Sequence, residues 1–93
     1  MIKKIVELKV LENYRVFLKY DDDLEGEINL SHLLNKDEFS FIKNYDEFSK
    51  ISIHPTSNDL YWKDTIADHL CKNALRKQIE LRNLAKRLKL AVD

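Results

Sequence analysis

The chain changes its hydrophobic period once, and that change restricts it to a small set of folds. Over residues 2–30 apolar side chains recur at every second position. From Ile66 to Asp93 there is neither Gly nor Pro, and apolar residues recur at helical spacing. Period two belongs to half-buried strands, and a period near 3.6 to an amphipathic helix. Strands first and a helix last is the order of an α+β domain.

The strands can be placed from the alternation. Val6, Leu8 and Val10 alternate with Glu7 and Lys9 across residues 2–12, and Glu12-Asn13 is a turn signal. Tyr14, Val16, Leu18 and Tyr20 form a second set, with Arg15 and Lys19 outward. Phe17 shares that outward face, so the face is partly covered or binds something. Asp21-Asp22-Asp23 reads as a solvated turn. Leu24, Gly26, Ile28 and Leu30 form a third set, which completes an antiparallel meander. Ser31 is placed to cap a helical turn holding His32, Leu33 and Leu34, and Asp37 to cap a second one through Phe39, Ile42 and Tyr45. Residues 50–54 and 60–63 flank Pro55-Thr56-Ser57-Asn58-Asp59, the strongest turn signal in the chain, and read as a hairpin. The expected fold is α+β: an antiparallel sheet of about five strands (three-strand meander, short helix, hairpin) followed by a long C-terminal helix.

Asp64 or Thr65 is the expected cap of that helix, with Asp68 in its first turn. Ile66, Leu70, Ala74, Leu81, Leu84, Ala85 and Leu88 fall on one stripe roughly 100° wide, interrupted by Lys77, while Leu75, Ile79 and Leu90 lie on another face. The first three turns are expected to dock on the sheet. Residues 78–93 then carry more apolar surface than one small domain covers. Residues 1–74 form the sheet domain, and residues 75–93 a basic, leucine-bearing extension of the same domain.

Composition narrows the chemistry. Ninety-three residues support one domain. The single Cys cannot form an internal disulfide and fits a reducing compartment. No apolar run approaches the ~18 residues needed to span a membrane. Met1 through Glu7 meets charge too soon for a signal peptide, so a bacterial or phage cytoplasmic protein is expected. His69 and Cys71, two apart on a helix, point about 200° apart and cannot grip one ion. Cys71 reads as a small buried residue, and His32 and His54 as lone residues near element ends. Counted from Asp21, a calcium loop needs Glu at its twelfth position, where His32 stands. One glycine cannot make a phosphate loop. No catalytic residue, metal, cofactor or small-molecule substrate is expected, and the chain is read as non-enzymatic.

The sixteen Lys and Arg balance sixteen Asp and Glu, but not evenly along the chain. Residues 1–71 hold nine basic against fourteen acidic residues, a net of −5. Residues 72–93 hold seven against two, a net of +5. A basic helix can contact phosphates, an anionic membrane surface or an acidic protein. A helix bound only to phosphates has no need of Leu81, Leu84, Leu88 and Leu90.

The order of these segments is itself a pattern: residues 16–21 (Val-Phe-Leu-Lys-Tyr-Asp), residues 25–34 ending in Leu33-Leu34, the Phe-rich stretch 39–48, Ile51-Ser52-Ile53, and Tyr61-Trp62-Lys63 leading into residues 66–70. Over about residues 3–74 it resembles the small bacterial domain-of-unknown-function family DUF 2442. Where that family commonly has Asp-Gly at the acidic turn, this chain has Asp23-Leu24. Where a Pro often enters the last helix, it has Ala67-Asp68. The resemblance implies a small α+β sheet domain without catalytic residues to carry over. Members are often encoded beside another small protein, an arrangement similar to toxin–antitoxin pairs. Some carry a helix-turn-helix domain after the sheet, whereas this tail reads as one helix.

The expected function is therefore protein binding, as the antitoxin-like or regulatory partner in a small operon pair. The partner is another small protein or a second copy of the chain. Leu81, Leu84, Leu88 and Leu90 would supply buried area, and Arg76, Arg82, Lys86 and Arg87 steering and rim contacts. The alternative is a nucleic-acid-binding regulator that uses the same basic helix.

Overall fold

The opening alternation folds into the expected meander. The computed structural model describes residues 3–63 and 69–92, with side chains through Leu88. In it β1 (Ile5–Leu11), β2 (Arg15–Tyr20) and β3 (Glu25–Asn29) pair antiparallel in the order β1-β2-β3. The inward parity of β2 is fully buried at Val16, Leu18 and Tyr20. Asn13, Tyr14 and Asp23 take positive φ in the two connecting turns. Tyr14 is bulky for that conformation. Its hydroxyl donates to the Lys43 carbonyl at 3.0 Å, and its ring packs edge-on against Phe48.

The inward parity of β1 does not run straight through. The register slips between Ile5 and Glu7, so one extra residue is inserted there. Ile5 is buried, Val6 turns out to 56% exposure, and Leu8 and Val10 return to the half-buried face. A clamp at the strand's start accompanies the slip. The Ile5 N–H donates to Asn58 Oδ1 at 2.7 Å, and Asn58 Nδ2 donates to the Ile5 carbonyl at 3.1 Å. One side-chain amide thus satisfies both backbone groups of Ile5, as a neighbouring strand would. On the outward face, Lys9 Nζ lies 5.6 Å from the centre of the Phe17 ring, which is how that aromatic residue is covered.

After β3 the chain makes two 3₁₀ segments, Ser31–Asn35 and Asp37–Lys43, and then the one-turn helix α1 (Tyr45–Phe48). The caps differ from the expected ones. Ser31 and Asp37 are the first residues inside their segments rather than caps. Asn29 Oδ1 accepts from the Ser31 N–H, and Asn44 Oδ1 caps α1 by accepting from Asp46. Phe39, Ile42 and Phe48 are buried, and Phe39, Phe41 and Phe48 surround Trp62. The indole N–H donates to the Phe48 carbonyl at 3.1 Å, which satisfies the one polar atom in that aromatic layer.

The hairpin is present as β4 (Ser52–Ile53) and β5 (Leu60–Tyr61), paired antiparallel. Five strands are therefore described, but in two sheets: the meander and this two-stranded unit. Beyond β5, Leu60 and Leu70 exchange two backbone hydrogen bonds of 3.1 and 2.8 Å. That bridge keeps Leu70 extended, so the helix α2 (Lys72–Val92) starts later than its period suggested. Asp64, Thr65, Ile66 and Asp68 lie outside the described residues. His69 and Cys71 precede the helix rather than sharing it.

α2 docks through Leu75 and Ile79, at 3% and 0% exposure. Both lie on the face opposite the expected docking stripe, so the helix docks by its other apolar face. The reason is the late start: Leu70 belongs to the bridge, and of the described helix residues Leu75 and Ile79, one turn apart, are the apolar side chains buried in the core. The landing point is Gly26. A Cβ built there would sit 2.9 Å from Ile79 Cγ2. Ile79 is β-branched and stiff in a helix, so its methyl cannot swing away.

Two outcomes follow for stability. Gly26→Ala should cost ~1–3 kcal/mol by overpacking. In denaturant titrations the cost should shrink in an Ile79→Ala background, and equal cost in both would remove the contact as its cause. Asn58→Ala should cost ~1–3 kcal/mol from the lost clamp. Asn58→Gly, which suits the positive φ of this position (63°) better, should still lose most of it.

Candidate protein-docking face

The α2 helix is built with two unlike faces. At about 100° per residue, Lys77, Leu81, Leu84 and Leu88 lie between roughly 140° and 200° from Ile79. That is the side opposite the docked face. Leu81, Leu84 and Leu88 are 65%, 50% and 57% exposed, the exposed large apolar side chains of the described helix. The side chain of Leu90 lies outside the described residues. Two shallow grooves flank Leu84: one lined by Leu24, Glu80, Asn83 and Arg87, the other by Lys77, Glu80 and Leu81.

The start of the helix is held by a polar network around Tyr20. The Tyr20 hydroxyl donates to the Lys72 carbonyl at 2.6 Å. The Lys72 N–H donates to Asp59 Oδ1 at 2.9 Å, so an aspartate from the hairpin loop takes the expected capping role of Asp64 or Thr65. Lys72 Nζ donates to the Ser57 carbonyl at 2.8 Å. Burial pushes the Tyr20 phenol up to about 12, against the pull of the Arg76 cation.

Arg76 belongs to this network rather than to an outer rim. Its Nη1 and Nη2 donate to Asp22 Oδ1 and Oδ2 at 3.0 and 2.6 Å, and its guanidinium lies 5.1 Å from the centre of the Tyr20 ring. A bidentate, stacked guanidinium is already engaged within the chain. The hydrogen bond from Arg76 lowers the Asp22 carboxyl to about 2, and Asp22 in return raises Arg76. The acidic turn is thus divided in use. Asp22 holds the helix, and Asp23 lies 3.8 Å from Lys19.

Further along, Arg82 Nη1 and Asn83 Nδ2 reach the Glu27 and Glu25 carbonyls of β3 at 3.5 Å each. They cover the free edge of the meander, which blunts strand addition there. Lys86 and Arg87 are exposed. Of the four basic residues read as rim contacts, Arg76 and Arg82 therefore turn toward the sheet domain.

Two further residues depart from expectation. Cys71 is exposed, not buried, because it precedes the helix. His54 is not alone: its ring lies 4.7 Å from Tyr61 and 5.0 Å from His69. Its Nδ1 accepts from the Thr56 and Ser57 N–H groups, so it braces the hairpin turn. Asn58, Asp59 and Tyr20 were missed as organising residues. Their bonds run between residues 13 to 53 positions apart, and hydrophobic period carries no trace of such pairs.

No helix among the described residues is long and apolar enough to cross a membrane. No family model, curated protein or solved structure matches the chain. The DUF 2442 resemblance accordingly rests on segment order alone.

The Asp22–Arg76 contact has a pH signature. Asp22 has its folded-state value depressed from 3.8 to about 2, so its contribution is present above about 4 and lost as pH falls toward 2. Asp22→Asn should flatten the stability profile across that window in acid titration followed by circular dichroism. An unchanged slope would detach the ion pair from helix docking.

Proposed function

We propose that the protein is a non-enzymatic protein-binding module that engages its partner on the leucine face of α2. The observation that carries this reading is the placement of Leu81, Leu84 and Leu88, exposed and in line, directly opposite the face already buried. An amphipathic helix in a small domain has one apolar stripe for its core. A second stripe on the opposite side has no role in folding the chain, and exposed apolar stripes mark contact surfaces. Membership of the DUF 2442 family, and with it the antitoxin-like or regulatory role in an operon pair, belongs to the same proposal. So does a cytoplasmic location, which the exposed thiol of Cys71 suits.

The distribution of basic groups favours protein over nucleic acid as the partner. Lys77 and Lys86 project about 180° apart, with Arg87 between them. Arg76 is held by Asp22 and Lys72 by Ser57 and Asp59. Among the described residues Arg82 and Lys86 lie one turn apart on one side, but Arg82 reaches back to the Glu27 carbonyl at 3.5 Å, whereas phosphate tracking requires a row of outward cations along one side.

A photoreactive residue placed at position 84 in the native host tests the reading. Crosslinks to protein are expected, the chain's own copy included. They should disappear when Leu81 and Leu88 are replaced by Glu, with the melting temperature held within a few degrees. Crosslinks to nucleic acid alone, or protein crosslinks that ignore both leucines, would overturn it.

A further inference from the structure

The spacing of the leucine face points to a particular occupant. Lys77, Leu81, Leu84 and Leu88 are separated by four, three and four residues, the alternation of the two seam positions of a coiled coil. We propose that the occupant is a second copy of the chain, its α2 lying antiparallel against this one about a two-fold axis between residues 82 and 83. This rests on the leucine face being a docking surface, and adds what docks there and in which direction.

Lys77 supplies the first reason for the direction. In a parallel pair, residue 77 of one helix meets residue 77 of the other, and two ammonium groups share one layer. In the antiparallel pair each Lys77 lies against Leu88 of the second copy. Its methylene stem covers the leucine, and its head reaches water. Leu81 then meets Leu84 of the second copy, and Leu84 meets Leu81, so both central layers are apolar.

Glu80 and Arg87 supply the second reason. Both lie on the same flank of the seam, about 100° and 80° from Ile79. In an antiparallel pair like flanks face each other, so Glu80 of each copy stands beside Arg87 of the other, and two oppositely charged pairs form. In a parallel pair Glu80 would face Ala85 and Arg87 would face Val92, so the charges would find no partner. Glu80 also keeps a loose contact with Arg76 in its own helix, at 3.6 Å and with its side chain 54% exposed, which leaves it accessible. Arg87 lines the groove beside Leu84 together with Glu80 and Leu24. The copy's leucine at position 81 would enter from that side.

The docked face does not interfere. Leu75 and Ile79 hold each helix to its own sheet, so the two sheet domains lie on the outer sides of the helix pair and at opposite ends. The seam is four layers long, a small interface, so the dimer is expected to depend on concentration.

The experiment uses the full chain and its native cysteine. Light scattering at about 100 µM should give a dimer, and Leu81→Glu with Leu84→Glu should give a monomer. Glu80→Arg and Arg87→Glu should each weaken the homodimer at least tenfold, because each places like charges across the seam. Mixing the two variants one to one should restore a dimer, since both cross pairs are then oppositely charged, one with its native signs and one with its signs exchanged. A nitroxide on Cys71, which is exposed and just ahead of the helix, should report a separation of about 35 Å or more. A distance below about 20 Å would establish a parallel pair and overturn the direction. A monomer at the highest concentration would overturn self-pairing, yet a protein crosslink from position 84 to a different chain would leave the docking face standing. A dimer indifferent to Leu81 and Leu84 would overturn both.

Discussion

α2 crosses β3 where the sheet has no side chain. At Gly26 the Ile79 methyl reaches to 2.9 Å from the place a Cβ would occupy, so the helix comes as close to the strand as backbone allows. The other features of the helix follow from that contact. It sets the rotation of α2 about its axis and brings Arg82 and Asn83 over the carbonyls of the β3 edge. By the same rotation, Leu81, Leu84 and Leu88 face away from the domain. A single glycine therefore decides which of two apolar stripes becomes core and which becomes surface.

The polar contacts around Tyr20 act with this packing. A buried phenol needs an acceptor, and the Lys72 carbonyl in the first turn of α2 provides it. Asp59 and Asp22 approach from two different loops and hold Lys72 and Arg76. Each of these is a charge-assisted contact to the basic half of the chain from its acidic half. The separation of −5 and +5 along the sequence is thus partly neutralised inside the molecule. On the outer helix Lys77, Lys86 and Arg87 point in different directions and Arg82 reaches back to β3, so its leucines rather than its charges define the candidate surface.

Much of the architecture was legible without coordinates. Period two placed all three meander strands and the buried parity of β2, because a pleated strand maps alternate residues to opposite faces. The absence of Gly and Pro after Pro55, with helix-forming residues throughout, announced the terminal helix. The same reasoning failed where a contact between distant residues overrode the local period. The register slip after Ile5 turned Val6 outward, and the Leu60–Leu70 bridge delayed the helix, so the wrong stripe was assigned to the core. Arg76 was read as a rim residue because sequence shows a charge and not its carboxylate.

The sequence by itself determined an α+β chain with a leucine-bearing helix at its end, since hydrophobic period and helix propensity are local properties. It also determined that this helix carries two apolar faces, because both stripes are present in the spacing. Only the tertiary structure decided which face is used. That choice depends on where the helix can approach the sheet, and the approach depends on Gly26, Tyr20 and Asp22, residues that lie 50 positions or more from their partners in α2. Contacts at such separations are set by the three-dimensional path of the chain, and no local pattern encodes them.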